Sequence, residues 1–194
     1  MIVIPNDIQA LLFDLDGTFA DTMPIHIEAW KAAGKKYGAN ITDDMIQRTS
    51  GRPTIAVVDI LNEENGWQLI PAEMKAAKDV AFEAAKISLG IRPIPLIFDL
   101  ARRHLGKLPM AIGTGSTRPR TEDTLNALGV MHWFDAIVTA DDVQNFKPSP
   151  DTFLLCAAKL AIDPARCLVF EDADFGLRAA IAAGMRVVDV REYL

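Results

Sequence analysis

Five short apolar runs punctuate the chain, at residues 8–13, 108–112, 134–139, 167–170 and 186–190. Each has the length and apolar density of a strand buried on both faces. Helical patterns fill the later gaps, at residues 121–128, 150–160 and 174–183. Strands alternating with helices in this way predict an α/β domain with a mostly parallel, Rossmann-like sheet covered by helices on both faces. The first gap breaks the rhythm. Residues 22–89 carry only helical patterns, at 24–37, 42–48, 54–63 and 72–88, and one crossover helix needs far less chain. A small all-helical cap over residues 21–90 is therefore expected, inserted into a core made of residues 1–20 and 91–194. Residues 90–95, with Asp21 and Thr22, read as two hinge strands on which the cap can open. The segment beginning Pro71-Ala72-Glu73-Met74-Lys75 favours helix strongly, and its charges read as a solvated face. Trp30 and Trp67 read as cap core.

Composition narrows the class. The 194 residues are half hydrophobic, the mean hydropathy is +0.15, and both values suit a globular fold. The formal charge is −6 and no block of Lys or Arg stands ready for a run of phosphates, so no nucleic-acid partner is expected. Residues 1–7 lack the basic and apolar regions of a leader, and no window is long enough to cross a bilayer. A cytoplasmic monomer without a membrane partner is the expectation. Cys156 and Cys167 lie inside apolar patterns and read as small buried hydrophobes. His104 and His132 are too far from His26 in sequence to suggest a metal motif.

Chemistry concentrates where the strands end. The first run stops at Asp14-Leu15-Asp16-Gly17-Thr18, which is either a solvated Asp-Gly turn or a pair of carboxylates at the carboxyl edge of a sheet. There they can offer oxygens to a hard cation and leave one carboxylate for proton transfer. The second run leads into Gly113-Thr114-Gly115-Ser116, whose N–H groups and hydroxyl can hold an anion ahead of a helix. Lys147 follows the third run, and Glu171-Asp172-Ala173-Asp174 follows the fourth. In a parallel sheet these last acids would come to lie beside Asp14 and Asp16.

Asp14 and Asp16, Thr114, Lys147, then Glu171 and Asp172 resemble, in order and spacing along the whole chain, the signatures of the haloacid dehalogenase superfamily. The insert after the first strand, with Asp21-Thr22, His26 and Trp30, resembles the β-phosphoglucomutase-like branch, and residues 170–177 resemble its small sugar-phosphate phosphatases. The resemblance implies a Mg²⁺-dependent phosphatase acting on a small phosphorylated metabolite. Asp14 would be the nucleophile and Asp16 the general acid/base. Thr114, Gly115 and Lys147 would hold the phosphoryl group, and Asp14, the Asp16 carbonyl, Glu171 and Asp172 would serve the metal. Thr22, His26 and Arg52 are the candidates for sugar contact. A sugar phosphomutase using the same residues is the alternative, and a non-catalytic phosphate- or metal-binding module is the third reading. Two departures stand out: Ala173 replaces the branch's usual serine, and Arg52 follows Gly51 directly, several residues short of the arginine that grips a remote phosphate in the mutases.

Overall fold

The computed structural model describes residues 2–194. Five parallel strands form one sheet in the order β3-β2-β1-β4-β5, where β1 is Ala10–Phe13, β2 Met110–Gly113, β3 Ala136–Val138, β4 Cys167–Glu171 and β5 Arg186–Asp189. Every residue of β1, β2 and β4 is buried. This follows from their continuous apolar sequence, which needs cover on both faces of a parallel sheet. Helix α5 (Pro95–His104) and helix α6 (Arg118–Ala127) lead into and out of β2, α7 (Asp151–Leu160) leads into β4, and α8 (Asp174–Ala182) links β4 to β5.

The core divides on the two faces of the sheet. Leu11, Phe13, Leu15, Phe19, Ile97, Leu100 and Phe170 fill one side; Leu12, Val138, Phe153, Cys156, Val169 and Ala180 fill the other. Phe13 stacks on Phe170 at 4.9 Å and meets Phe19 edge-on at 5.7 Å. Truncating Phe13 to alanine would cost about 3–5 kcal/mol on the usual scale for buried aromatics.

Four helices form the insert: α1 (Met23–Lys36), α2 (Asp43–Thr49), α3 (Thr54–Asn65) and α4 (Pro71–Leu89). Thr42 caps α2 by accepting from the Met45 N–H, Gly66 ends α3 in the left-handed region, and prolines open the first turn of α1 and α4. These are ordinary start and stop signals. Trp30, Ile46, Val58, Leu61 and Met74 make the insert's own core, with Trp67 packed against it.

The sheet and the helical insert follow the sequence pattern, with differences at the edges. Strand β1 begins at Ala10 rather than residue 8, and α6 begins at Arg118 rather than 121. The expected hinge strands reduce to a single antiparallel bridge, Ala20 to Pro93, flanked by the bonds Asp21 N to Arg92 O and Ile94 N to Phe19 O. Directly after it comes α5, a helix that the sequence pattern had not suggested. Pro95 opens it, Ile97, Leu100 and Ala101 face the core, and three basic residues close it. No helix among the described residues is long and apolar enough to cross a membrane.

Candidate active site

The reversal of strand order about β1 leaves a crevice at the carboxyl end of the sheet. Phe13 pairs with Ile112 on one side and Phe170 on the other, so Asp14 emerges level with Gly113 and Glu171. The chain then turns through Gly17, whose φ is +91°. A Cβ there would stand 2.3 Å from Asp172 Oδ2, so this turn needs glycine both for its backbone angle and for the approach of Asp172.

Asp14 is buried between charges of both signs. Lys147 Nζ donates to Asp14 Oδ1 and Glu171 Oε1, each at 2.7 Å, while Glu171 Oε2 accepts from the Ala173 N–H at 2.6 Å. Gly176 makes room for Glu171, since any Cβ at that position would collide with its carboxylate. Thr18 donates to Asp172 Oδ1 at 2.7 Å. Carboxylate oxygens of Asp14, Glu171 and Asp172 lie within 4.8 Å of one another. Burial pushes Asp14 well above the usual carboxylate range despite Lys147, and burial together with Glu171 pushes Asp172 up to about 7. Lys147 is held charged, because Asp14 and Glu171 outweigh its burial. One lysine is too little charge for three carboxyl groups this close together, two of them buried. The donor set is all oxygen, which suits a hard divalent cation such as Mg²⁺.

Asp16 has the opposite setting. Oδ1 accepts from Thr22 Oγ1 at 2.6 Å and faces His26 Nε2 at 3.1 Å, and Oδ2 accepts from Ser116 Oγ at 2.6 Å. Burial alone would raise its pKa, but the charge interaction with His26 and the hydrogen bonds from His26, Ser116 and Thr22 hold it well below the usual range. Burial and the Lys78 cation lower the His26 pKa against the opposing pull of Asp16, and beside that carboxylate the imidazole Nε2 takes the donor's role.

A cavity of about 270 Å³ joins the two aspartates to the helical insert. Thr114 and Gly115 line its floor. The Thr114 N–H is bonded to Val138 O and the Ser116 N–H to Thr114 Oγ1; the Gly115 N–H and the Thr114 hydroxyl proton are what the loop can offer an anion. Gly115 also marks where the insert touches the core, since a Cβ there would lie 2.5 Å from Gly51 O.

This sequence of acids, loop, lysine and acids around a central strand decides the family: the sequence model for haloacid dehalogenase-like hydrolases matches residues 11–190. The chain belongs to that family. It is 42% identical over 181 residues to fructose-1-phosphate phosphatase YqaB of Escherichia coli (strain K12), covering 93% of this chain and 95% of that one. It is 31% identical over 185 residues to the phosphorylated carbohydrates phosphatase of Thermotoga maritima, covering 91% and 82% of the two chains. A crystal structure of β-phosphoglucomutase from Clostridium difficile superposes with a TM-score of 0.79 at 25% identity, over 93% of this chain and 83% of that one. The neighbourhood is that of the β-phosphoglucomutase-like enzymes.

Among the cap residues the structure redistributes roles. Thr22 and His26, expected to reach a sugar, are both engaged with Asp16, and His26 also lines the cavity. Arg52 does line the cavity, but its guanidinium lies over the Phe175 ring at 4.9 Å and its Nε is buried without a partner. Lys78 corrects the reading of α4 as a solvated charged face. It is buried, donates to Thr54 Oγ1 at 3.2 Å and lies 4.9 Å over the Trp30 ring. The signal was its spacing, because Met74, Lys78 and Phe82 are the buried residues of α4 and fall four apart. Ser116 went unnoticed inside a loop that was read only as an anion cradle. Thr18, which closes the first signature, orients Asp172 through its hydroxyl hydrogen bond.

Proposed function

We propose that this hydrolase is a Mg²⁺-dependent phosphatase that cleaves a small sugar phosphate, of the kind exemplified by fructose 1-phosphate, through an aspartyl-phosphate at Asp14. The observation that carries it is the pair of aspartates two residues apart, facing one cavity, the first held by Lys147 and the second by Thr22, His26 and Ser116. Asp14, pinned through Oδ1 by Lys147, keeps Oδ2 free to attack phosphorus. Asp14, the Asp16 carbonyl and Asp172 would hold Mg²⁺, with Glu171 fixing Lys147 beside them. When bound, the cation supplies the positive charge without which a carboxylate cannot approach a phosphomonoester dianion.

Thr114 and the Gly115 N–H hold the transferring phosphoryl oxygens, and Lys147 offsets their charge. When the substrate's bridging oxygen replaces one of its three donors, the carboxylate's affinity for a proton rises; Asp16 then takes up a proton from solvent and delivers it to the leaving alkoxide. It then takes a proton from the water that cleaves the aspartyl-phosphate. Lys78 and Arg52, on the cavity wall, meet the sugar.

A mutase would use the same core residues and would have to hold a second phosphate while its bisphosphate turned over. Arg52 follows Gly51 directly and its guanidinium lies on Phe175, a placement that suits sugar hydroxyls better than a second phosphate and so favours hydrolysis. Phosphorus NMR of hexose monophosphates incubated with the enzyme and Mg²⁺ tests the choice. Stoichiometric free phosphate is expected, with no interconversion of β-glucose 1-phosphate and glucose 6-phosphate even after priming with the bisphosphate. Isomerisation outrunning phosphate release would overturn the phosphatase reading.

A further inference from the structure

The helix that carries Lys78 is fastened to the core by a cluster at the wall of the cavity, where Asp79 and Arg120 stand beside Lys78. Arg120, in the first turn of α6, lays its guanidinium over the Phe82 ring at 3.8 Å. Its Nη2 donates to Asp79 Oδ1 at 2.7 Å, and its Nη1 stands 3.9 Å from Glu83 Oε1. Asp79, Phe82 and Glu83 are spaced three and four apart and so form one face of α4. One turn further along, the sign reverses: Lys86 of α4 donates to Asp123 Oδ2 of α6 at 2.7 Å. A core cation meets cap anions and a cap cation meets a core anion, which fixes one register between the two helices. The Arg120 side chain is only 15% exposed, so solvent screens this contact less than an ordinary surface pair.

The same stretch of α4 feeds the site. Lys78 immediately precedes Asp79 and lines the cavity. Phe82 also packs against the His26 ring, with centroids 4.8 Å apart, and His26 in turn holds Asp16. Arginine suits this place because a flat guanidinium can stack on the Phe82 ring while Nη2 bonds Asp79 and Nη1, buried without a hydrogen-bond partner, keeps its charge near Glu83; lysine can keep only the charge.

We propose that Arg120 is a positioning residue: it clasps α4 to α6 and so fixes Lys78 and His26 over Asp16 when the cap is closed. The clasp rests on geometry alone, while its kinetic consequence rests on the phosphatase reading. Spin labels on cysteines introduced at the exposed Val80 of α4 and Asn126 of α6 report the clasp directly, the native Cys156 and Cys167 being buried. A single narrow distance is expected in the otherwise native protein, and a longer or broadened distribution in Arg120→Ala. The cap-side variant Asp79→Asn gives the same broadening, so the result does not depend on one substitution folding well. Unchanged distances in both variants would overturn the proposal.

The kinetic arm compares a hexose phosphate with acetyl phosphate, whose leaving group needs neither a proton nor a cap contact. In Arg120→Ala, kcat/KM for the hexose phosphate should fall tenfold or more while acetyl phosphate hydrolysis stays within threefold, and Arg120→Lys should recover part of the loss. Equal losses on both substrates would also overturn the proposal, since Arg120 would then act on the core. If the native enzyme cleaved acetyl phosphate and no sugar phosphate, the phosphatase reading would fall and the label distances alone would judge the clasp.

Discussion

Lys78 shows how a single buried charge becomes measurable. Burial and the nearby Arg120 bring its pKa down to about 8, against the opposing pull of Asp16 and Asp79, with Lys75 adding to the depression. The unfolded chain holds this proton up to the ordinary lysine value near 10.5. Between those two values the unfolded state binds more protons than the folded one, so stability rises with pH in that window. Denaturant unfolding of the free protein from pH 7.5 to 10.5 should show that rise, roughly 3 kcal/mol at most by linkage, and Lys78→Met should lack it. The sign for catalysis is opposite. As pH passes about 8 the free enzyme loses a cavity cation, so kcat/KM for a sugar phosphate should fall, and Lys78→Arg should move that limb to higher pH. The candidate residues differ in how far sequence alone reveals them. Asp14, Asp16, Lys147, Glu171 and Asp172 stand immediately beyond apolar runs, where pattern and chemistry coincide. Ser116 and Lys78 matter only through side chains that arrive from distant elements, and nothing local marks a buried lysine except its place on an apolar stripe.

At the scale of elements, the loops joining strand to helix carry the tolerances. The Gly113-Thr114-Gly115 loop meets the cap's Gly51 backbone, and a methyl group at residue 115 would come within 2.5 Å of a carbonyl oxygen. Neither partner is a flexible side chain. Gly115→Ala should therefore hold the cap away from the core, raising KM for a sugar phosphate about tenfold or more while circular dichroism stays native. An unchanged KM would mean that the two loops separate during turnover without cost. The strands were legible as short continuous apolar runs, and the cap helices by an apolar period of 3.6. Helix α5 was not, since Pro93 and Pro95 read as extended chain and the helix starts on the second of them. The hinge strands failed for the same reason: proline at 93 and 95 leaves few donors for a ladder, and one bridge remains.

The whole molecule places a concentration of negative charge where it must receive a dianion. The net charge of −6 works against substrate capture, and the local cations Lys147 and Lys78 offset it only in part. Excess EDTA should accordingly abolish phosphate release and added Mg²⁺ should restore it; undiminished turnover in chelator would exclude the metal-assisted mechanism. The central claim is that Asp14 carries the phosphoryl group from a sugar phosphate to water. It is tested most directly by acid quench during steady-state hydrolysis of fructose 1-phosphate with Mg²⁺, followed by mass spectrometry of the peptides, with Asp14→Asn in parallel. The account predicts a phosphoryl adduct on Asp14 in the native enzyme, and in the variant neither adduct nor phosphate release, with circular dichroism unchanged. An adduct on another residue, or turnover by Asp14→Asn within tenfold of native, would contradict it.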